Sequence, residues 1–224
     1  MKIRLLALSS AALLATAVPA LAGDGFYIGL GAGWSKPSSV DYSLGAGSGN
    51  IGYENGARFD FASGYKWANG LRLELDSPYA RYNVQNATST AGALIAGASG
   101  HGTMWGLLGN LVYDFNIAPR LNLSFGGGLG AARFTSAYTD PTELVRGGKV
   151  GFAYQLIGGL TWEITPRVDL ELDYRYLSLA STDHDYFTPP GTAAGTINFG
   201  RVKTQNVMLN LRYYLQDCPP PPPP

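Results

Sequence analysis

The chain has 224 residues, and its 16 basic and 16 acidic side chains cancel to a formal net charge of zero. Charged residues make up only 14%, against about 25% in an ordinary soluble domain, so they are too few to coat a water-exposed surface. The charge balance argues against a nucleic-acid binder, and the mean hydropathy of −0.01 excludes a bundle of transmembrane helices. A single cysteine, Cys218, excludes an internal disulfide framework and a multi-thiolate zinc site.

The first 22 residues have the features of a secretory signal peptide. Lys2 and Arg4 give a basic start, and an apolar segment follows. Ala20 and Ala22 supply the small residues of a cleavage site, so cleavage is expected before Gly23. No second apolar segment of about 18 residues follows, so the rest of the chain offers no transmembrane helix.

The remaining chain alternates between bulky apolar residues and small or polar ones with a period of two, as β-strands with two different faces do. Eight segments show this alternation, at about the 9–11 residues that a tilted strand needs to span a bilayer. The pattern predicts an all-β fold: an eight-stranded antiparallel up-and-down transmembrane β-barrel over residues 23–216. The predicted strands are residues 26–34, 59–67, 71–76, 105–115, 121–130, 152–164, 168–176 and 207–215.

The connections between these segments alternate between short and long. Tight turns are predicted at residues 68–70, 116–120 and 165–167, and Asn69-Gly70 is a strong hairpin signal. Short turns at one end and long loops at the other are typical of outer-membrane barrels, with the loops extracellular and both termini periplasmic. The long polar loops are predicted at residues 35–56, 83–102, 135–148 and 181–203.

The bulky side chains are expected to face lipid, because an eight-stranded interior has room only for packed side chains. A secreted lipocalin-like barrel is the alternative, but it would place its apolar residues inside. Aromatic residues at the strand ends predict two interface belts, as membrane proteins have at the headgroup level. The predicted belt residues are Trp34, Trp67, Trp105, Trp162, Tyr113 and Tyr213.

The inward face of the predicted strands carries more acids than bases. Side chains at similar depth are expected to form an ion-pair network, since buried charges must pair. Two interpretations are open: the network gates a narrow, weakly cation-selective pore, or it is a polar core that fixes strand register, which buried ion pairs commonly do. The candidate network residues are Glu74, Asp76, Glu171, Asp173, Arg175 and Arg212.

Four motifs resemble the outer membrane protein A-like family of eight-stranded barrels, which includes opacity-type surface proteins. They are Gly-Phe-Tyr-Ile-Gly at residues 25–29, Leu-Arg-Leu-Glu-Leu at 71–75, the segment 168–176, and Leu-Arg-Tyr-Tyr-Leu at 211–215. The resemblance implies that barrel assembly machinery reads the last strand. It also implies that a Pro-rich hinge precedes a peptidoglycan-binding domain.

No catalytic, cofactor or metal site is predicted. His101 and His184 both fall in predicted loops, outside every predicted strand. Asp183, His184 and Asp185 offer an Asp–His pair or a metal site, but no nucleophile accompanies them, so a solvated loop is favoured. A Ser–His lipid hydrolase is disfavoured because neither histidine lies on a predicted strand.

Arg81 and Arg133 lie at the loop-side ends of predicted strands, on the apolar face. They are expected either to contact lipopolysaccharide phosphates or to extend to the membrane interface. Residues 217–224 comprise Asp217, Cys218 and six prolines, which predict an extended periplasmic linker. Cys218 is expected to form an intermolecular disulfide or to stay an idle thiol.

The sequence predicts a bacterial outer-membrane protein that binds outer-membrane lipid and lipopolysaccharide and no nucleic acid. Its expected role is a structural anchor that displays its loops and tethers the envelope through the Pro-rich tail. The alternatives are a surface adhesin or antigen that acts through the loops, a narrow cation-selective pore and, last, an enzyme.

Overall fold

The computed structural model describes residues 25–44, 47–88, 99–139, 144–188 and 192–215. The predicted signal peptide (residues 1–22) and the Pro-rich linker (residues 217–224) lie outside these ranges, so both stay predictions. Within the described ranges, no helix is long and apolar enough to cross a membrane.

The described residues form thirteen β-strands and no helix. Along each strand of the wall, large apolar residues alternate with small or polar ones, and the two sets therefore point to opposite faces of the sheet. The strands are β1 (Gly25–Pro37), β2 (Val40–Leu44), β3 (Gly47–Tyr53), β4 (Gly56–Lys66), β5 (Leu71–Thr88), β6 (Ser99–Ala118), β7 (Leu121–Thr139), β8 (Leu144–Gly147), β9 (Val150–Thr165), β10 (Val168–Leu179), β11 (Thr182–Thr188), β12 (Thr192–Phe199) and β13 (Val202–Tyr214).

Eight of these strands form one closed wall in the order β1, β4, β5, β6, β7, β9, β10 and β13. Every neighbouring pair is antiparallel, and β13 pairs with β1, with Leu211 opposite Leu30. Closure leaves no free strand edge, which bare hydrocarbon requires. The predicted eight-stranded antiparallel barrel is confirmed.

The tight connections lie at one end of the barrel, the short-turn end. Gly70 has a φ of 86°, which glycine adopts at little cost, and its N–H donates to the Trp67 carbonyl at 2.9 Å. The Asn69 side chain accepts a bond of 3.0 Å from the Leu71 N–H. The hairpin predicted from Asn69-Gly70 is therefore present.

The prediction of long polar loops was wrong for much of their length. The connections contain β2, β3, β8, β11 and β12, and β5, β6 and β7 run beyond their predicted ends. Together these segments close a second ring above the wall, which we call the upper ring, in the order β5, β3, β2, β12, β11, β8, β7 and β6. The added strands have only four to eight residues and several glycines, so period-two alternation is too short to detect them.

Both histidines lie on strands, contrary to the sequence prediction. His101 is in β6, opposite Asn83 and Ala137, and His184 is in β11, opposite Ile197. Their strands belong to the upper ring, whose pairing depends on partners distant in sequence.

The outer surface of the wall is apolar, as predicted. Leu30, Leu129 and Trp162 are 67%, 62% and 59% exposed, whereas the inward residues are small or buried. In water such a surface would expose far more contiguous apolar area than a soluble monomer does. The wall is therefore built to contact lipid.

The interior has two layers of different chemistry. The half nearer the short turns is ionic, with buried arginines and carboxylates. The half nearer the upper ring is a hydrophobic core, which we call the apolar plug. It was not predicted, because most of its residues lie beyond the predicted strand ends. The plug comprises Val40, Ile51, Tyr53, Ala80, Tyr82, Ala87, Met104, Leu108, Ala132, Phe134, Ala153, Leu177, Leu179 and Val202.

Candidate functional site

The ionic layer is assembled from inward positions two residues apart on strands β4, β5, β6, β10 and β13. Successive side chains of a strand point to opposite faces of the sheet, so each of these side chains faces inward while its two neighbours along the strand face lipid. Among the described residues, seven carboxylates and five cations are buried here. They are Asp60, Glu74, Asp76, Asp114, Asp169, Glu171 and Asp173, with Arg58, Lys66, Arg72, Arg175 and Arg212.

Arg58 is the inward cation that sequence reasoning missed. It is fully buried and lies two residues before Asp60, so it has the same parity as the inward set. The predicted strand began at residue 59, whereas β4 begins at Gly56. Extending the alternation backward by a single residue from Phe59 would have found Arg58.

One group of ion pairs lies nearer the short turns. Glu171 contacts two arginines: its Oε1 lies 3.1 Å from Arg72 Nη2, and its Oε2 accepts a short hydrogen bond from Arg212 Nη1. Arg212 Nη2 also lies 3.1 Å from Asp169 Oδ2. The Tyr214 hydroxyl donates to the same Asp169 oxygen at 2.8 Å. A carboxylate between two guanidinium groups is held firmly.

A second group surrounds Arg175. Its guanidinium lies 2.9 Å from Asp173, 3.0 Å from Asp76 and 3.3 Å from Asp60. Arg58 shares two of these carboxylates, at 2.7 Å from Asp60 and 3.5 Å from Asp76. Two cations therefore pair with three acids, and the acids of this group outnumber its cations by one.

Glu74 connects the two groups. Its Oε2 lies 3.2 Å from Arg72 Nη1 and accepts a bond of 2.8 Å from the Tyr27 hydroxyl. Its Oε1 lies 3.9 Å from Arg175 Nη1 and accepts a bond of 3.1 Å from Asn110 Nδ2. The structure thus brings all six predicted network residues into one connected array, but Arg175 contacts Asp76 and Asp173 more closely than Glu74.

The ionic layer also contains unpaired oxygens and a small void. Asp76 Oδ1 and Asp114 Oδ2 are buried without a hydrogen-bond partner. Beside Asp60, Glu74 and Arg175 lies a void of about 10 Å³, room for about one water molecule. In the part of the chain that the structure describes, no group of three or more histidine, cysteine or acidic residues could hold a metal ion.

The apolar plug closes the other half of the interior. Tyr82 and Phe134 are stacked with ring centroids 6.5 Å apart, and Tyr53 packs edge-on against Phe134 at 5.4 Å. Burial raises the pKa of Tyr53 to about 12, although its hydrogen bond with Ser136 acts in the opposite direction. The phenol therefore stays neutral at physiological pH.

The predicted belt residues all lie on the outer face. The four tryptophans are 39–59% exposed, and Tyr113 and Tyr213 are 39% and 43% exposed. Trp67 and Tyr65 pack edge-on near the short turns at 5.1 Å, and Tyr113 packs on Phe115 at 4.5 Å. Trp34, which is three residues before the end of β1 at Pro37, pairs with Val207 of β13.

The two rim arginines of the sequence analysis lie apart from the ionic layer. Arg81 is exposed on β5, between Ala57 and Thr103. Arg133 on β7 is half-buried beside Trp105, and its Nε has no hydrogen-bond partner. Each stands alone among neutral cross-strand neighbours.

A closed antiparallel barrel with an apolar outer surface, aromatic belts and a charged interior defines an outer-membrane β-barrel. A family model described as "Outer membrane protein beta-barrel domain" matches residues 7–214, and the chain belongs to this family. The resemblance to eight-stranded outer-membrane barrels is confirmed, and the family resides in the bacterial outer membrane. No curated protein matches the chain.

Several solved structures are similar in fold. Neisserial surface protein A has a TM-score of 0.53 and 18% identity, and the match covers 85% of this chain and 97% of that one. The outer membrane protein OprG from Pseudomonas aeruginosa has a TM-score of 0.56 and 12% identity, covering 86% and 97%. The outer membrane protease OmpT from Escherichia coli has a TM-score of 0.55 and 8% identity, covering 88% and 98%. These identities establish the fold alone, so the protease activity does not carry over.

Proposed function

We propose that the protein is a sealed structural barrel that anchors and displays its upper ring at the cell surface. The observation that carries the proposal is the interior, which is packed at two successive levels. In the ionic layer, Arg58, Arg72 and Arg212 are at most 1% exposed. In the plug, Met104, Leu108 and Leu179 are inaccessible to solvent.

A hydrated ion would have to pass both layers. The ionic layer resists it because each arginine contacts two or more carboxylates at 4.0 Å or less. The plug resists it because apolar constrictions exclude water and thereby block ions. Open diffusion channels have about 16 strands, twice as many as this wall.

The purified full-length protein in planar lipid bilayers is therefore expected to show no stepwise conductance. A porin with a water-filled channel, reconstituted in parallel, verifies that the bilayer reports open pores. Discrete cation-selective steps that change in Arg175→Met would contradict the sealed barrel and support the narrow pore, with the ion pairs as its gate.

The second candidate is a surface interaction protein, which the upper ring favours. The ring rises beyond the belt tryptophans Trp34 and Trp105, and it presents exposed polar residues such as Asp41 and Glu54. Its pairing makes the displayed surface firm, which suits recognition.

Replacement of residues 182–199, the β11–β12 hairpin, by a short turn separates these two functions. If the protein is an adhesin, purified wild-type protein binds host or bacterial cells and the trimmed variant does not. If it is an anchor, neither protein binds cells above background. An epitope inserted between β11 and β12, two strands of the upper ring, tests the orientation, because antibody should bind intact cells only if the upper ring faces outward.

The proposed partners follow from the proposed orientation of the barrel in the outer membrane. The upper ring lies outside the cell and the short-turn end faces the periplasm, where the Pro-rich linker is expected to connect to a peptidoglycan-binding domain. Barrel assembly machinery recognises β13, whose inward and outward residues alternate along its full length. Arg81 and Arg133 contact lipopolysaccharide phosphates or extend to the interface, and no enzymatic activity is expected.

A further inference from the structure

Three exposed basic side chains, Lys36, Arg201 and Lys203, lie near the ends of β1 and β13 that adjoin the upper ring; we call them the rim cation cluster. Lys36 lies opposite Gln205, and Lys203 is two residues before Gln205 on the same face. Diagonal neighbours of this kind have Cβ atoms roughly 7 Å apart. The Ser38 N–H donates to the Lys203 carbonyl at 2.8 Å, so the strands stay paired up to this level.

The cluster lies just beyond the lipid-facing surface. Trp34 precedes Lys36 by two residues on the same face and pairs with Val207, and these two side chains are 48% and 44% exposed. One further pair of residues along a strand advances about 7 Å. Because tryptophan marks the membrane interface, the cluster lies at the depth of lipid headgroups and their phosphates.

Among the side chains that the structure describes, none forms an ion pair within 4.0 Å with any of the three cations. Asp41, an acid near this rim, accepts the Gly200 N–H with its backbone carbonyl, and its carboxylate accepts a bond of 2.7 Å from Asn50. Lys36 and Lys203 carry like charges and repel each other at this separation, so a bridging anion would relieve the repulsion between them.

We propose that the rim cation cluster binds the phosphate groups of a phosphorylated glycolipid in the outer leaflet. Lys36 and Lys203 contact one phosphate as point charges, and the planar Arg201 guanidinium donates two parallel bonds to a phosphate. The assignment to the outer leaflet rests on the proposed orientation of the upper ring. A cluster of three cations distinguishes this site from Arg81 and Arg133, which stand singly.

Native mass spectrometry of the full chain in detergent, titrated with bis-phosphorylated lipid A, tests the site. The variant K36Q/K203Q removes two charges from the cluster, and R120Q/R167Q removes two charges from exposed residues at the short-turn end. Loss of two charge-assisted contacts is expected to weaken lipid A binding roughly tenfold in K36Q/K203Q and to leave R120Q/R167Q like the wild type. Dephosphorylated lipid A and inorganic phosphate complete the series, and both are expected to bind far more weakly than lipid A.

Equal lipid A affinity of K36Q/K203Q and wild type would overturn the proposal, as would equal binding of dephosphorylated lipid A. Saturation by inorganic phosphate at lipid A concentrations would assign the cluster to free phosphate and reject the lipid. Heat-dependent migration on gels verifies that each variant is folded. Because binding is measured in detergent, the result does not depend on membrane orientation or on conductance. The lipid-binding proposal can therefore fail while the proposed anchor stands, and the reverse also holds.

Discussion

Replacement of Arg175 by methionine is expected to lower the free energy of unfolding by about 3–5 kcal/mol. Its guanidinium lies within 3.3 Å of three buried carboxylates, those of Asp60, Asp76 and Asp173. Without the cation, Arg58 alone faces Asp60 and Asp76, and Asp173 keeps only the bond from Asn210. Equilibrium unfolding in detergent by guanidinium, followed by tryptophan fluorescence, measures the loss.

A double-mutant cycle with Asp76→Asn separates the ion pair from the loss of packing. Asp76→Asn alone is expected to cost about 1 kcal/mol or less, because the amide oxygen can still accept the bond from Gln155. In R175M/D76N the loss of stability is expected to be about 1–3 kcal/mol smaller than the sum of the two single losses, because Asp76→Asn neutralises one of the acids that Arg175→Met leaves unpaired. Arg81→Met, an exposed charge at the rim, is the control and should stay within about 0.5 kcal/mol of wild type. A loss below 1 kcal/mol in Arg175→Met, or no coupling, would show that the network does not hold the barrel together.

Substitution of Gly130 by alanine is expected to destabilise the barrel by about 1–3 kcal/mol or more. Gly130 faces inward on β7, opposite Leu108 on β6. A Cβ there would lie 2.7 Å from Leu108 Cα and would also overlap the Leu107 carbonyl oxygen. Both are backbone atoms of the wall, so relief requires the strands to move apart. The thermal unfolding midpoint in detergent reports the change.

Gly109 provides a matched control one residue pair away. It lies opposite Leu129 on the same two strands, but it faces lipid, and a Cβ there would approach no heavy atom closer than 3.9 Å. Gly109→Ala is expected to be neutral or slightly stabilising, because alanine reduces the entropy of the unfolded chain. If both variants unfold at the same midpoint, inward crowding does not explain the glycines of this barrel.

The two layers of the interior hold different parts of the barrel together. The ionic layer joins β4, β5 and β10 through Arg175, Asp60 and Asp76, so it fixes which strands meet across the barrel. The plug joins the wall to the upper ring, because Tyr53 of β3 packs against Phe134 of β7. A wall with a packed interior supports the upper ring, as a display scaffold requires, and this agrees with the proposed function.

Most of the wall was predictable from sequence because its information is local. In β13, alternate residues are buried from Val202 to Tyr214, so one strand by itself shows which side chains face lipid. The turn at Asn69-Gly70 was likewise predictable, since only the conformational freedom of Gly70 is needed there. The inward positions of Glu171 and Arg212 followed from the same parity.

Pairing was decided only by the tertiary structure. Parity places Arg175 inward beside Asp173 of the same strand, but strand stagger determines that it reaches Asp76 of β5 ahead of Glu74. The upper ring was not predicted because its strands are short, with only four residues in β8. These strands form by pairing with partners far away in sequence. The sequence thus determined the faces of the wall, because the period of a strand is a local property. The partners, the plug and the rim cation cluster depend on which residues closure brings together, and that is a property of the whole barrel.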